Sequence, residues 1–122
     1  MGTRFVIDTN VAIYVLGGRM VDNLPPGSHY VSAVSIVELL SFATLTDDER
    51  EQTETFLAGT TVVNVDEQLG RMAAKVRATS GLKLADAIIV ATALNLGATL
   101  ITNDAQIVKA RLVRTQTVDL LD

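Results

Sequence analysis

Four acidic residues of this chain stand in apolar surroundings, where a charged group needs a physical reason. Asp8 follows a short apolar run, Glu38 and Asp86 interrupt longer ones, and Asp104 closely follows another. Carboxylates that gather in one place repel one another and are poorly solvated when buried, so a divalent cation is the simplest compensation. Mg²⁺ and Mn²⁺ prefer oxygen ligands, and ions held in this way can activate a water to attack a phosphodiester.

The composition restricts a metal site to oxygen ligands. The 122 residues include no cysteine and one histidine, which excludes disulfide frameworks, thiolate sites and multi-histidine sites. Hydrophobic residues make up 48% and charged residues 20%, as expected for one globular domain spanning residues 1–122. The formal net charge of −4 argues against a simple basic clamp for nucleic acids.

Apolar runs and helical periodicities alternate along the chain and define the elements that would position the acids. Strand-like runs cover residues 5–7, 29–31, 61–65, 98–101 and 117–120. Helical patterns with capping residues or terminal glycines cover residues 10–16, 35–44, 47–58, 67–80, 84–96 and 105–111. We therefore predict an α/β fold, a single three-layer α/β/α domain with a mostly parallel central sheet.

This alternation predicts that all four acids lie at one edge of the sheet. Right-handed crossovers bring the C-terminal ends of the strands and the N-terminal ends of the following helices to the same edge. Asp8 and Asp104 come just after predicted strands, whereas Glu38 and Asp86 lie in the first turns of predicted helices. Ligands of open α/β sheets bind at this edge, so the topology, rather than proximity in the chain, would assemble the site.

Each acid also fits an ordinary structural role. Asp8 is typical of a residue that ends a strand, and Asp86 could complement a helix dipole. Asp104 could be the N-cap of the last helix, and Ser35 together with Glu38 fits a capping box. The functional interpretation therefore depends on the four acids meeting, and not on any one of them.

Four segments carry a family resemblance when they are taken in order. They are FVIDTN, VSAVSIVELL, GLKLADAIIVATAL and LITND, and they extend over essentially the whole chain. Together they resemble the PIN domain family and, within it, the small VapC-type toxin ribonucleases. The resemblance implies a metal-dependent endoribonuclease whose acidic quartet, Asp8, Glu38, Asp86 and Asp104, is catalytic and holds Mg²⁺ or Mn²⁺.

The resemblance also implies supporting residues and partners. Asn10 and Thr102 match polar positions that support the site, and Ser35 matches a frequent site-lining hydroxyl. Side chains of this kind could orient the carboxylates by hydrogen bonds. The family further implies a homodimer and a neutralising antitoxin partner. Many members have another acid two residues after the last one, where this chain has Gln106, so less negative charge is present to hold a second metal ion.

We accordingly predict the toxin of a type II toxin–antitoxin pair, a metal-dependent endoribonuclease that cleaves RNA with a metal-activated water. Lys83, three residues before Asp86, is the candidate contact to RNA phosphate. The alternative is a catalytically degenerate PIN-like domain that binds RNA or serves as a scaffold. A haloacid-dehalogenase-like phosphatase fits less well, because it needs a second aspartate where this chain has Asn10.

The remaining expectations concern location and two side features. Residues near the N-terminus lead directly into a strand-like run, and polar residues interrupt the apolar stretch 84–101. We therefore expect a cytoplasmic protein with no membrane partner. His29 is expected to pack or hydrogen-bond near a strand rather than act as a base. The acidic run of residues 47–54 is expected to be a solvated helix face.

Overall fold

The computed structural model describes residues 2–122, and in these residues one five-stranded sheet is flanked by six helices. The strands are β1 (Arg4–Ile7), β2 (Ser28–Ser32), β3 (Thr61–Val63), β4 (Thr99–Ile101) and β5 (Thr115–Gln116). The helices are α1 (Thr9–Leu16), α2 (Ala33–Leu40), α3 (Asp47–Ala58), α4 (Glu67–Ser80), α5 (Leu84–Leu96) and α6 (Ala105–Ala110).

The central strand of the sheet is β1. The order is β3-β2-β1-β4-β5, and every neighbouring pair is parallel, which confirms the predicted α/β class. The chain builds outward from β1 to β3 and then returns to the other side of β1 to form β4. The crevice between β1 and β4 is therefore a topological switch point, the place where open α/β sheets bind ligands.

Strand side chains alternate between two hydrophobic cores, one on each face of the sheet. Val6 and Leu100 belong to the core that α4, α5 and α6 cover. Ile7 and Ile101 belong to the core that α1, α2 and α3 cover. Because successive strand residues point to opposite faces, this division establishes three layers. All four side chains are fully buried, so the ends of β1 and β4 are firmly packed supports for the residues that follow them.

Local signals correctly predict the ends of the longer helices. The Thr46 hydroxyl accepts from the Glu49 N–H at 3.1 Å, and the Glu49 carboxylate accepts from the Thr46 N–H at 3.0 Å. This capping box begins α3, whose acidic run is exposed as expected. The Asp66 carboxylate caps α4, and Gly97 ends α5 with φ of 61°, a left-handed conformation that favours glycine.

The predicted starts of α1 and α2 are wrong by one or two residues. α1 begins at Thr9 rather than at residue 10, and Asp8 occupies its N-cap position. Ser32, rather than Ser35, caps α2 by accepting from the Val34 N–H at 3.2 Å. The reason is that the strands pass into these helices with almost no loop: Ser32 is both the last residue of β2 and the N-cap of α2, and Asp8 alone separates β1 from α1. The predicted capping box of Ser35 and Glu38 is therefore wrong, and Glu38 lies in the second turn.

The predicted last strand is also displaced. Residues 117–120 do not form a strand; β5 comes earlier, and Leu120 makes only an isolated antiparallel bridge with Met20. The cause is the Asn103 side chain, which donates to the Val118 carbonyl at 3.0 Å and accepts from the Val118 N–H at 2.8 Å. These bonds satisfy the backbone groups that would otherwise pair with a neighbouring strand.

The pair α4 and α5 packs tightly over one face of the sheet. α5 is apolar on most sides because it lies between α4 and the strands, and Ile89 and Val90 are 1% exposed. Within residues 2–122, no single helix has the length and apolar character to cross a membrane; α4 and α5 satisfy that test only jointly, with a bend of 117° between them.

Candidate functional site

Asp8 lies at the centre of the C-terminal edge of the sheet, between β1 and α1, and its side chain is 4% exposed. The register of β1 against β4 pairs Ile7 with Ile101, and the Asp8 N–H donates to the Ile101 carbonyl at 3.0 Å. This register brings Thr102 beside Asp8. The Thr102 hydroxyl donates to Asp8 Oδ2 at 2.7 Å, across the switch point.

Thr102 links two of the four predicted acids. Its Oγ1 also accepts from the Asp104 N–H at 3.0 Å, and its side chain is fully buried. Since its single hydroxyl proton goes to Asp8, the orientation of this hydroxyl is determined by both neighbours. Thr102 therefore lies inside the site and contacts the two acids that flank the crevice.

Asp104 is the N-cap of α6, the ordinary structural role that the sequence allows for this residue. Its Oδ1 accepts from the Gln106 N–H at 2.8 Å and from the Ile107 N–H at 3.2 Å. Both bonds use the same carboxylate oxygen. The capping role therefore occupies Oδ1 and does not exclude a second role for Oδ2. Gln106 contributes a backbone N–H to this cap.

Glu38 is half-buried and is held by a residue that the sequence analysis missed. Thr9 Oγ1 donates to Glu38 Oε1 at 2.6 Å, and Ser35 Oγ lies 2.8 Å from the same Thr9 hydroxyl. Thr9 is 7% exposed and Ser35 is fully buried. The available signal was a hydroxyl residue directly after Asp8 at a strand-to-helix junction, where one of the first helical residues must turn inward.

Asp86 is the acid whose pKa responds to the charges of all three others. It lies in the first turn of α5, as predicted. Burial is the main cause that raises its pKa to about 6; the negative charges of Asp8, Asp104 and Glu38 contribute to the rise, while Lys83 opposes it. Asp8, Asp104 and Glu38 therefore each lie within electrostatic reach of Asp86.

Asp8 experiences the same environment. Burial is the main cause that raises its pKa above the usual range of aspartate, and the charges of Asp104 and Glu38 add to it. Hydrogen bonds from Thr102 and from the Thr9 backbone act in the opposite direction. An ionised Asp8 is therefore partly stabilised by its neighbours, but it remains a buried negative charge among other negative charges.

The four acids belong to one region of the sheet edge, but their side chains do not have the spacing of a preformed metal site. Among residues 2–122, no three acidic, histidine or cysteine side chains already have a spacing that could hold a metal ion. Charge repulsion acts over longer distances than coordination bonds of about 2.0–2.6 Å. Acids can therefore shift the pKa of a neighbour without lying close enough to coordinate one metal ion together. The residue types define the donor chemistry, because aspartate and glutamate offer carboxylate oxygens only. Side-chain rotations would be needed to enclose a cation.

The structure also places three further residues that the sequence analysis discussed. Lys83 is exposed at the N-cap position of α5, close enough to lower the pKa of Asp86. Asn10 is exposed in the first turn of α1. His29 stacks on Phe5 with ring centroids 5.9 Å apart, and its Nε2 lies 2.8 Å from the Pro25 carbonyl, which confirms the predicted packing role.

Comparisons with known proteins agree with this architecture. A family model described as the PIN domain matches residues 5–112. The fold is similar to VapBC2 from Rickettsia felis bound to a promoter DNA fragment, at 14% identity and a TM-score of 0.80, covering 96% of this chain and 100% of that chain. It is also similar to a toxin–antitoxin complex from Klebsiella pneumoniae, at 25% identity and a TM-score of 0.75, covering 88% and 93%.

A third similar structure is VapBC-5 from Mycobacterium tuberculosis, described as a member of the VapBC family of toxin–antitoxin systems. It shares 26% identity with a TM-score of 0.71, and the alignment covers 95% of this chain and 98% of that chain. Comparison with curated protein sequences gives no match.

Proposed function

Because the chain belongs to the PIN domain family, we propose that it is a metal-dependent endoribonuclease and the toxin of a toxin–antitoxin pair. Two similar structures, one described as a toxin–antitoxin complex and one as a member of a family of toxin–antitoxin systems, support the second part. The proposed cofactor is Mg²⁺ or Mn²⁺, and the proposed substrate is RNA. The proposed metal ligands are Asp8, Glu38, Asp86 and Asp104.

One observation carries the proposal: burial and three other acids together raise the pKa of Asp86 to about 6. Burial and the charges of the other three acids disfavour the ionised form of Asp86, and a divalent cation would remove that penalty. The donor set fits Mg²⁺ or Mn²⁺, since both prefer carboxylate oxygens.

The residues of the chain would hold the donor set in place. A bound divalent cation would supply charge neutralisation and would favour the deprotonated form of a water near the phosphodiester. Thr102 holds one oxygen of Asp8, and Thr9 holds one oxygen of Glu38. Backbone N–H groups of α6 likewise hold one oxygen of Asp104. Glu38 and Asp104 are thus each oriented through one oxygen, and the second oxygen of each is the proposed contact to the cation.

The direct test is cleavage of a defined single-stranded RNA by the purified protein with Mn²⁺ or Mg²⁺. We expect discrete products with metal and none when EDTA is in excess. We also expect growth arrest when the protein is expressed alone. RNA binding without cleavage at saturating Mn²⁺ would favour the degenerate scaffold instead. Absence of Mn²⁺ binding in calorimetry would contradict the proposed metal site.

The raised pKa of Asp86 predicts a pH dependence of metal binding. Its pKa is 3.8 as a reference value and about 6 in the folded protein, so ionisation of this group costs folding stability, a cost absent below pH 3.8 and complete above pH 6. A cation needs the ionised form, so its affinity should rise through pH 6. Calorimetry with Mn²⁺ should give affinity about 10-fold weaker at pH 5 than at pH 7, with proton release near pH 6. An affinity that does not change across this pH range would contradict this assignment.

We also propose that an antitoxin segment occupies an apolar groove between α1, α2 and α3. The groove has a volume of about 210 Å³ and is lined by Ile13, Leu39 and Phe42 among others. Ile13 is 36% and Phe42 52% exposed, which is a large exposure for apolar side chains. The acidic first turn of α3 borders the groove through Glu49. A helical segment with an apolar face and basic flanks would complement this surface. The homodimer stays a prediction.

A further inference from the structure

Thr9 joins two helices through one buried hydroxyl. It lies in the first turn of α1, whereas Ser35 and Glu38 lie one turn apart on α2. The Thr9 hydroxyl contacts both of them, at 2.8 Å from Ser35 Oγ and 2.6 Å from Glu38 Oε1. Positions three residues apart on a helix share a face, which explains how one hydroxyl reaches both side chains.

The chemistry of these groups determines the direction of the hydrogen bonds. An ionised carboxylate can only accept, so Thr9 must give its single proton to Glu38. Thr9 then has no proton left for Ser35, and the Ser35 hydroxyl must donate to Thr9. The three groups therefore form an ordered series from Ser35 through Thr9 to Glu38. Bonds to a charged acceptor strengthen in such a series, because each hydroxyl polarises the next.

We infer that Thr9 is a positioning residue for Glu38: the Ser35–Thr9–Glu38 series fixes the carboxylate through Oε1, so that Oε2 is the oxygen presented to a metal ion. The inference rests on the proposed metal site. It assigns Ser35 an indirect role, since its hydroxyl acts on the acid only through Thr9. It also accounts for two buried hydroxyls, which would each be costly without a partner.

The test compares two substitutions of Thr9 in the full-length protein. Thr9→Val keeps the shape of the side chain but leaves Oε1 without a donor and the Ser35 proton without an acceptor. We expect Mn²⁺ affinity, measured by calorimetry, to fall ~10-fold, the scale of losing a residue that orients a metal ligand. The RNA cleavage rate at saturating RNA should fall with it, while KM for RNA stays close to the parental value. Thr9→Ser retains the hydroxyl and should restore most of both.

Thr92→Val is the matched control. Thr92 is fully buried, and its hydroxyl donates to the Ile88 carbonyl at 2.8 Å within α5, so the same chemical change occurs away from Glu38. This variant should alter the melting temperature and leave Mn²⁺ affinity unchanged. A Thr9→Val protein that binds Mn²⁺ like the parent would overturn the inference, as would an equal loss in Thr92→Val.

Ser35→Ala tests the order of the series and serves as a second variant if Thr9→Val does not fold. It removes the outer donor but keeps the bond from Thr9 to Glu38, so its loss of Mn²⁺ affinity should be smaller than that of Thr9→Val. A larger loss would contradict the order. Mn²⁺ binding that weakens in Thr9→Val, without RNA cleavage by the parent, would support the positioning role and reject the nuclease. RNA cleavage by the parent, together with unchanged Mn²⁺ affinity in Thr9→Val, would support the nuclease and reject the positioning role.

Discussion

Replacing Asp8 by asparagine should abolish metal-dependent RNA cleavage while making the metal-free protein more stable. Asp8 is the most buried of the four acids at the sheet edge, and burial raises its pKa. The asparagine side chain would have nearly the same shape and could still accept from Thr102, but it would carry no charge to hold a cation. Removing one electrostatic group from a preorganised site costs roughly 10²–10³-fold in rate, so we expect a loss of at least that size.

The stability effect of Asp8→Asn should change sign with metal. Without metal, the ionised carboxylate is a buried charge near Asp104 and Glu38, and its removal stabilises the folded state at neutral pH. At a Mn²⁺ concentration about 100 times its Kd, the parent gains about 2.7 kcal/mol from binding, and the variant gains less. Urea unfolding with EDTA and with Mn²⁺ would measure both states.

Asp22→Asn is the control for this substitution, because Asp22 is exposed and lies outside the cluster. It should leave the RNA cleavage rate unchanged. Its free energy of unfolding should stay close to that of the parent, both with EDTA and with Mn²⁺. Parental cleavage by Asp8→Asn would remove Asp8 from the mechanism. Equal stability shifts with and without Mn²⁺ would show that no cation binds at this residue.

Substitutions of Asp104 should separate its capping role from its role in the site. Asparagine caps a helix about as well as aspartate, whereas alanine loses the cap at a cost of about 1 kcal/mol. We therefore expect Asp104→Asn to unfold at nearly the parental urea concentration and Asp104→Ala to unfold earlier. Both should lose RNA cleavage by roughly 10²-fold or more, since both remove the charge.

Asp66 provides a cap of the same type without neighbouring acids in the cluster. Its Oδ1 accepts from the Leu69 N–H at 2.9 Å at the start of α4. Asp66→Ala should therefore lose stability like Asp104→Ala and retain full cleavage. If Asp104→Asn cleaves RNA at the parental rate, Asp104 is only a helix cap, and the second of its predicted roles is wrong.

Much of the fold follows from signals that act within a few residues. The capping box at Thr46, the cap at Asp66 and the glycine after α5 each determine a helix end through bonds to nearby backbone groups. Prediction was wrong where a distant residue satisfied the backbone instead. Asn103, 15 positions away, holds the Val118 backbone, and residues 117–120 therefore do not form the predicted strand.

The capping box predicted for Ser35 and Glu38 is the instructive error. Both residues lie near the site. The sequence pattern indicated a capping box formed by these two residues, whereas in the structure both side chains bond to the hydroxyl of Thr9. The spacing of the two residues on α2 fits both arrangements. Only the packing of α1 against α2 decides that a hydroxyl from another helix comes between them.

By itself, the sequence determined the order of strands and helices and, through the chirality of parallel crossovers, the sheet edge at which all four acids lie. Only the tertiary structure decided which hydroxyl meets which acid. Thr102 reaches Asp8 across 94 positions because β1 and β4 pair in one particular register, and Thr9 reaches Glu38 across 29 positions because two helices pack side by side. Contacts of this kind depend on how layers fit together, which no short stretch of residues encodes.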